Sequence, residues 1–92
     1  MERAEVSEHE LKVYAFTLKA AGWVTNHEIA KGAGVARRTA RQHSLRLVQL
    51  GVFDQADVFP AHRYRVGKQA RSRNRAYVLR LEQAAEVFGI VL

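Results

Sequence analysis

The chain has 92 residues, of which 15 are Lys or Arg and 9 are Asp or Glu, so its formal net charge is +6. This length suits one small domain spanning residues 1–92 and excludes an elaborate two-domain active site. Apolar residues make up 48% of the chain and cysteine is absent, which excludes wholesale disorder, disulfides, thiolate metal sites and a cysteine nucleophile.

A capping box predicts the start of the first helix. Residues 7–10 read Ser-Glu-His-Glu, which places a hydroxyl and a carboxylate where both can bind free backbone amides, so this helix is predicted to begin near Glu8. Gly22 is predicted to end it in the left-handed conformation. Residues 23–24 then form a short extended link.

Two more helices follow. A second capping box, Thr25 to Glu28, predicts a helix from about Asn26 to Ala33, which Gly34 ends. A third helix is predicted from Ala36 to Leu50, ended by Gly51. Its inner stripe is predicted to consist of Ala40, Leu47 and Leu50.

The hydrophobic period changes after Gly51 and indicates a β-hairpin. Residues 52–57 and 62–66 are predicted as strands joined by a four-residue turn, 58–61, in which Pro60 presets the backbone. This turn predicts four cross-strand pairs: Asp57 with His62, Gln55 with Tyr64, Asp54 with Arg65, and Phe53 with Val66. Phe59 at the turn is expected either to be an exposed wedge or to fold its ring back on its own hairpin.

The C-terminal part is predicted to contain a basic linker and a fourth helix. The linker covers residues 67–74, and Asn74 caps a helix that runs to about Phe88, before Gly89 and an apolar tail. One face of this helix carries Tyr77, Leu81, Ala84, Ala85 and Phe88. We expect a homodimer through Tyr77, Leu81 and Phe88, although packing of the tail on the first helix, or a chain cut from a longer protein, explains the apolar surface equally well.

The positive charge is concentrated in the middle of the chain. Residues 1–33 carry a net charge of −1, residues 34–75 a net charge of +8, and residues 76–92 a net charge of −1. Nine of the ten basic residues in the middle segment are Arg, whose planar donor fork suits phosphates and guanine edges. The sequence therefore predicts an anionic partner for this segment.

The stretch EIAKGAGVARRTARQHSLRLVQLGVF resembles the helix-turn-helix and following strand of prokaryotic winged-helix regulators. The matching positions are Ala30, Gly34, Val35, Leu47, Leu50 and Gly51. The resemblance covers residues 7–66 and implies a mainly α (α+β) winged helix-turn-helix: a three-helix core, a two-stranded β-hairpin wing and an additional C-terminal helix. The sequence departs from the family pattern at Ala36, Ala40 and Ser44, where a Ser or Thr cap, a larger β-branched residue and a Leu are usual.

The resemblance implies sequence-selective binding of double-stranded DNA, with the third helix in the major groove. Arg38, Arg41 and Gln42 are expected to read base edges, and Arg37, Thr39 and Arg46 to contact phosphates. Wing and linker contacts to the DNA backbone are expected from Arg63, Arg65, Lys68, Arg71 and Arg73, although Asp54 and Asp57 on the facing strand can neutralise the wing. Thr25 and Asn26 are candidates for holding a phosphate at the start of the second helix.

Other functions have little support in the sequence. The four His residues have no metal-ligand spacing, so no metal, cofactor or enzymatic activity is expected, and His43 is predicted to be a hydrogen-bonded core imidazole. The Glu-rich start is unlike a signal peptide and no apolar run reaches membrane-spanning length, which predicts a cytoplasmic protein. A transcriptional regulator, or the DNA-binding part of a replication, partition or phage protein, is expected; a winged helix for protein–protein or RNA contact is the alternative.

Overall fold

The structure, a computed structural model, describes residues 6–58 and 61–92. The described elements are α1 (Glu8–Ala20), β1 (Val24–Thr25), α2 (Asn26–Ala33), α3 (Arg37–Gln49), β2 (Phe53–Val58), β3 (Ala61–Val66), α4 (Ala70–Arg73) and α5 (Arg75–Phe88). None of the helices in these two ranges has the length and apolar character that a membrane span requires.

Both ends of α1 differ in part from prediction. Ser7 caps the helix by accepting a hydrogen bond from the Glu10 amide, but the reciprocal half of the predicted capping box is wrong. The Glu10 carboxylate is instead buried and accepts a hydrogen bond from the neutral Tyr77 hydroxyl on α5, because a buried carboxylate requires a donor that lies in the protein interior. Gly22 as the left-handed stop is also wrong: α1 ends at Ala20, so Ala21 takes the left-handed capping position and its amide donates to the Leu18 carbonyl.

The predicted ends of α2 are confirmed, and α3 is one residue shorter at each end than the predicted Ala36 to Leu50. The Thr25 hydroxyl accepts from the Glu28 amide at 3.2 Å, and the Thr25 amide donates to the Glu28 carboxylate at 2.9 Å, which completes the capping box of α2. Gly34 ends α2 with a φ of +72°, a conformation that a side chain disfavours. Ala36 precedes α3 without any side-chain cap, and Gly51 follows its last turn.

One hydrophobic core joins the helices to the sheet. On α3 the buried residues are Ala40, Ser44 and Leu47, whereas Leu50 is only partly buried. Close packing of α1 on α2 depends on Gly32, because a Cβ there would lie 2.0 Å from the Phe16 ring. The largest fully buried side chains are Leu11, Ile29, Leu47, Phe53, Tyr64 and Leu81.

The sheet has one strand more than predicted. Its order is β1-β3-β2 and all pairs are antiparallel. Val24, the second residue of the predicted extended link, begins the edge strand β1 and lies opposite Tyr64. The four predicted cross-strand pairs of the hairpin are confirmed. The four-residue turn is wrong, because Val58 pairs with Ala61 in the same register and leaves two residues between the strands. Those two, Phe59 and Pro60, lie outside the described residues.

The C-terminal part folds back on the core. The predicted linker, residues 67–74, contains the one-turn helix α4, whose Ala70 is buried. The Asn74 cap is confirmed: its side-chain oxygen accepts from the Tyr77 amide, and its side-chain nitrogen donates to the Leu50 carbonyl at 3.0 Å. Gly89 ends α5, as predicted.

The buried face of α5 differs from prediction at one end. Tyr77, Leu81 and Ala85 are buried as expected, together with Val78. Phe88 was expected on this face but is 43% exposed, because α5 extends past the core near its C-terminus. In the tail, Ile90 packs against the core near α1, whereas Val91 is 77% exposed.

Candidate nucleic-acid interface

The outer face of α3 carries cationic and amide side chains. Arg38 lies three residues before Arg41 and four before Gln42, so the three project from the same side of the helix, and all are exposed. The opposite side is fully buried through Ala40 and Leu47. The amphipathic pattern of the sequence therefore turns the predicted base-reading residues toward solvent.

The cations at the start of α3 have no acidic partner among the described residues. Within residues 6–58 and 61–92, no carboxylate oxygen lies within 4.0 Å of the charged groups of Arg37, Arg38 or Arg41. The first turn of α3 contains no acidic residue, and Ala36 supplies no cap. Cations at the positive end of a helix cost roughly 0.3–1 kcal/mol each, a cost that a bound anion would offset. Thr39 is half-buried beside them.

Arg46, the other predicted phosphate contact of α3, belongs to a polar cluster around the buried Glu10 carboxylate. Its Nε lies 3.4 Å from Oε1 of Glu10 on α1, and the Nδ1 atom of His43 lies 3.7 Å from the same oxygen. The Tyr77 hydroxyl on α5 donates to the other carboxylate oxygen, Oε2. We call Glu10, His43, Arg46 and Tyr77 the Glu10 cluster; it links three helices through one carboxylate.

The environment of the Glu10 cluster shifts two pKa values. Burial, followed by the hydrogen bond to Glu10 and its negative charge, raises the pKa of Tyr77 to about 12, so its hydroxyl remains a donor at neutral pH. Burial lowers the pKa of His43 despite the nearby Glu10 charge, which favours the neutral imidazole. The prediction of a hydrogen-bonded imidazole is wrong for Nδ1, which is buried without a hydrogen-bond partner because it stands too far from Glu10.

The wing strand β3 carries two arginines, of which Arg65 has a carboxylate partner and Arg63 has none among the described residues. Arg65 pairs with Asp54 at 3.2 Å and stacks over the Trp23 ring at 4.3 Å from its centroid. Arg63 is half-buried between its cross-strand neighbours, and no carboxylate of the described residues lies within 4.0 Å of it. The facing acidic residue Asp57 pairs with His62 instead, at 2.7 Å.

The basic residues of the predicted linker also divide into those that pair with a carboxylate and one that is simply exposed. Arg71 pairs with Glu82 on α5, and Arg73 pairs with Asp54 at 2.8 Å. Burial raises the pKa of Asp54, but hydrogen bonds from Arg73 and Arg65 outweigh it and hold that pKa below its ordinary value. Lys68 is exposed. Two of the three linker cations therefore have a structural role that the sequence did not reveal.

The start of α2 has fewer free donors than a phosphate site would use. The capping box occupies the amides of Thr25 and Glu28. The Asn26 side-chain oxygen is buried without a partner, and as an acceptor it offers nothing to an anion. The predicted phosphate contact at Thr25 and Asn26 thus depends on the amides of residues 26 and 27.

Two contacts of this surface were not expected from the sequence. The stacking of Arg65 on Trp23 depends on β1, which the sequence did not predict as a strand. The bond between Glu10 and Tyr77 joins residues 67 positions apart, and no local pattern signals such a contact. In the part of the chain that the structure describes, no three His, Asp or Glu residues are grouped so as to hold a metal ion.

Several solved structures share this architecture. ST1889 from Sulfolobus tokodaii is 15% identical with a TM-score of 0.68, and the match covers 91% of this chain and 84% of that one. The DNA-binding protein Sso10a-2 from Sulfolobus solfataricus is 10% identical with a TM-score of 0.60, covering 91% and 87%. The transcriptional regulator PcaV from Streptomyces coelicolor is 19% identical with a TM-score of 0.65, covering 96% of this chain and 64% of PcaV.

The sequence comparisons give no such likeness, since no family model matches the chain and no curated protein is significantly similar. The structural matches establish the fold. The chain has the winged helix-turn-helix fold, and its described residues form five helices and a three-stranded antiparallel sheet.

Proposed function

We propose that the protein binds double-stranded DNA by inserting α3 into the major groove. The observation that carries this proposal is the group of exposed arginines, Arg37, Arg38 and Arg41, at the uncapped positive end of α3, without carboxylate partners in the described chain. Arg38, Arg41 and Gln42 contact base edges, where Arg matches guanine and Gln matches adenine. Arg37 and Thr39 contact the flanking phosphates.

The wing and linker support the helix by contacts to the DNA backbone. Arg63 and Lys68 are the stronger candidates, because carboxylates already neutralise part of the charge of Arg65, Arg71 and Arg73. Sso10a-2 is a DNA-binding protein and PcaV a transcriptional regulator, which favours a role in gene regulation, with a replication, partition or phage role as the other setting for the same activity.

A salt titration of DNA binding tests the proposal. About six phosphate contacts predict a log–log slope of the association constant against salt near −5. Arg41→Glu is expected to abolish any sequence-specific footprint, because it reverses the charge on the base-reading face. Arg80→Glu, at an exposed position of α5, is the matched control and should leave the footprint unchanged.

Sequencing of duplexes selected from a random pool then identifies the site read by α3. A nearly flat salt response, with unchanged binding by Arg41→Glu, would contradict DNA binding. It would favour the winged helix as a module for protein–protein or RNA contact.

We also propose that the protein forms a homodimer through the C-terminal end of α5 and the tail. The expected contacts of Tyr77 and Leu81 are wrong, because both side chains are buried in their own chain. Phe88 stays available, and the exposed apolar residues near it are Val87, Val91 and Leu92. A stable interface buries roughly 1,200–2,000 Å² in total, so these residues would form its centre rather than its whole area.

Sedimentation at tens of micromolar, without DNA, tests the dimer. The wild type should sediment as a dimer and Phe88→Asp as a monomer, since a carboxylate at the centre of an apolar contact is costly. Arg80→Asp, on α5 but outside the apolar end, is the control and should remain dimeric. A monomeric wild type would contradict the proposal.

A further inference from the structure

The Glu10 cluster stands where α3 leaves its exposed face and meets α1 and α5. The Glu10 side chain is 4% exposed, whereas the side chain of its partner Arg46 is 49% exposed. Arg46 therefore contacts the protein interior with one side of its guanidinium and solvent with the other. This makes it different from Arg37, Arg38 and Arg41, which the described residues leave without any fixed partner.

The geometry of the pair leaves donors free. Nε of Arg46 faces Oε1 of Glu10. The two terminal nitrogens of the guanidinium carry four further N–H groups, and one carboxylate cannot accept hydrogen bonds from all of them. The Tyr77 hydroxyl holds the other oxygen of the same carboxylate, so Glu10 cannot rotate freely away from Arg46. A guanidinium fixed in this way loses less conformational entropy when it binds a phosphate than a freely moving one does.

We propose that Glu10 and Tyr77 are positioning residues that hold Arg46 in the conformation in which it contacts a DNA phosphate. Tyr77 belongs to α5, so the affinity of α3 for DNA depends on a helix other than the one in the major groove. This inference rests on the proposed DNA binding. It adds that Arg46 is presented by two other helices rather than by α3 alone.

The test measures the salt slope of DNA binding for Arg46→Gln, Tyr77→Phe and the double variant. Arg46→Gln should reduce the magnitude of the slope by up to about one, the value of one lost phosphate contact, because Glu10 already neutralises part of the Arg46 charge. Tyr77→Phe keeps the buried ring and removes only the hydroxyl, and it should reduce affinity several-fold in the same direction. The double variant should bind like Arg46→Gln alone, because Tyr77 acts through Arg46.

Two controls separate positioning from general loss of structure. Circular dichroism verifies that each variant is folded. Arg46→Gln leaves the Glu10 carboxylate buried without its partner, which can unfold the protein. In that case the double variant Glu10→Gln with Arg46→Gln, in which neither residue is charged, is measured in place of Arg46→Gln. Arg80→Gln, an exposed arginine of α5 outside the cluster, should leave the slope unchanged.

The outcomes are distinct. An unchanged slope for Arg46→Gln would overturn the inference, and so would equal losses for Tyr77→Phe in the wild-type and Arg46→Gln backgrounds. A wild type that does not bind DNA at all would instead overturn the proposed function. A reduced slope together with a non-additive double variant supports both.

Discussion

Ala21 is the one non-glycine residue of the described chain with a positive φ, +55°. A Cβ in this conformation destabilises the folded state by roughly 1–2 kcal/mol. Replacing Ala by Gly removes this strain, but it also stabilises the unfolded state by about 0.4–1 kcal/mol because glycine has more backbone entropy. Ala21→Gly should therefore raise the free energy of unfolding by about 0.5–1 kcal/mol, as the difference between these effects. Urea denaturation measures it.

The control for Ala21→Gly is Ala20→Gly, the last residue of α1. Ala20 has ordinary helical geometry, so glycine there should lower the free energy of unfolding by about 0.5 kcal/mol. Equal losses at both positions would show that the left-handed conformation of Ala21 carries no strain.

Ser44 is fully buried on α3, and its hydroxyl has no hydrogen-bond partner in the part of the chain that the structure describes. An unsatisfied buried hydroxyl costs about 1–3 kcal/mol, so Ser44→Ala should stabilise the protein by about 1 kcal/mol after the loss of some packing. The thermal midpoint should rise by several degrees in calorimetry.

Thr17 provides the matched comparison for Ser44. Its buried hydroxyl donates to the Val13 carbonyl at 2.8 Å, so Thr17→Val removes a satisfied hydroxyl and should lower the midpoint. A stabilising Thr17→Val would mean that burial alone, rather than the missing partner, determines the effect at Ser44.

Local sequence patterns predict helix caps only where no distant residue competes for the capping side chain. The Thr25–Glu28 box and the cap at Asn74 were predictable, because each requires only neighbouring residues and an amide that is free at every helix start. The carboxylate of Glu10 followed the same pattern and binds elsewhere, because Tyr77 and Arg46 reach it through the fold. A local pattern cannot show that a distant partner competes.

Asp54 connects three elements at the base of the wing. From β2 it holds Arg65 on β3 and Arg73 on α4, and these bonds keep its pKa below the ordinary 3.8. At pH values between the pKa of Asp54 in the folded protein and its pKa of 3.8 in the unfolded chain, the unfolded chain binds more protons. The stabilisation that Asp54 contributes is therefore complete above pH 3.8 and is lost as the pH falls through the pKa of the folded protein.

Asp54→Asn should remove this pH-dependent stability. The variant should be less stable than the wild type at neutral pH, and the difference should shrink as the pH falls below 3.8, as measured by urea midpoints from about pH 2 to pH 7. Asp57→Asn is the control. Its carboxylate also has a lowered pKa through Gln55 and His62, but it is exposed, so its substitution should change the midpoints less.

Elements with a repeating pattern were predictable, and elements defined by distant contacts were not. The register of β2 and β3 followed from matching an apolar pair and an opposite-charge pair, Phe53 with Val66 and Asp54 with Arg65. The two-residue strand β1 is too short for any period, and it exists because β3 offers it a partner. The one turn of α4 likewise depends on its ion pairs and on the burial of Ala70.

At the scale of the whole molecule, α5 is part of the core rather than an appendage. It contributes Tyr77, Val78, Leu81 and Ala85 to the same hydrophobic cluster that α1 and α3 form. A chain ending at residue 73 should therefore fail to unfold cooperatively in a thermal melt followed by circular dichroism, since the removal of several buried side chains costs about 2–5 kcal/mol each.

A chain ending at residue 90 is the control for this truncation. It lacks only Val91 and Leu92, of which Val91 is 77% exposed, so it keeps every buried side chain of α5 and should still unfold cooperatively. A cooperative melt of the shorter chain would instead mean that residues 6–73 fold alone. The resemblance to winged-helix regulators ends at residue 66, so the sequence could not show that the core needs α5.

The contact between Arg65 and the Trp23 ring gives the protein an internal optical probe. The chain has a single tryptophan, which is 39% exposed and touches the strand that forms one side of the wing. Indole emission responds to nearby charge and to water, so movement of Arg65 toward another anion would change the spectrum of this one chromophore. The position of the wing can thus be followed in unlabelled protein, while events confined to α3 leave the emission unchanged.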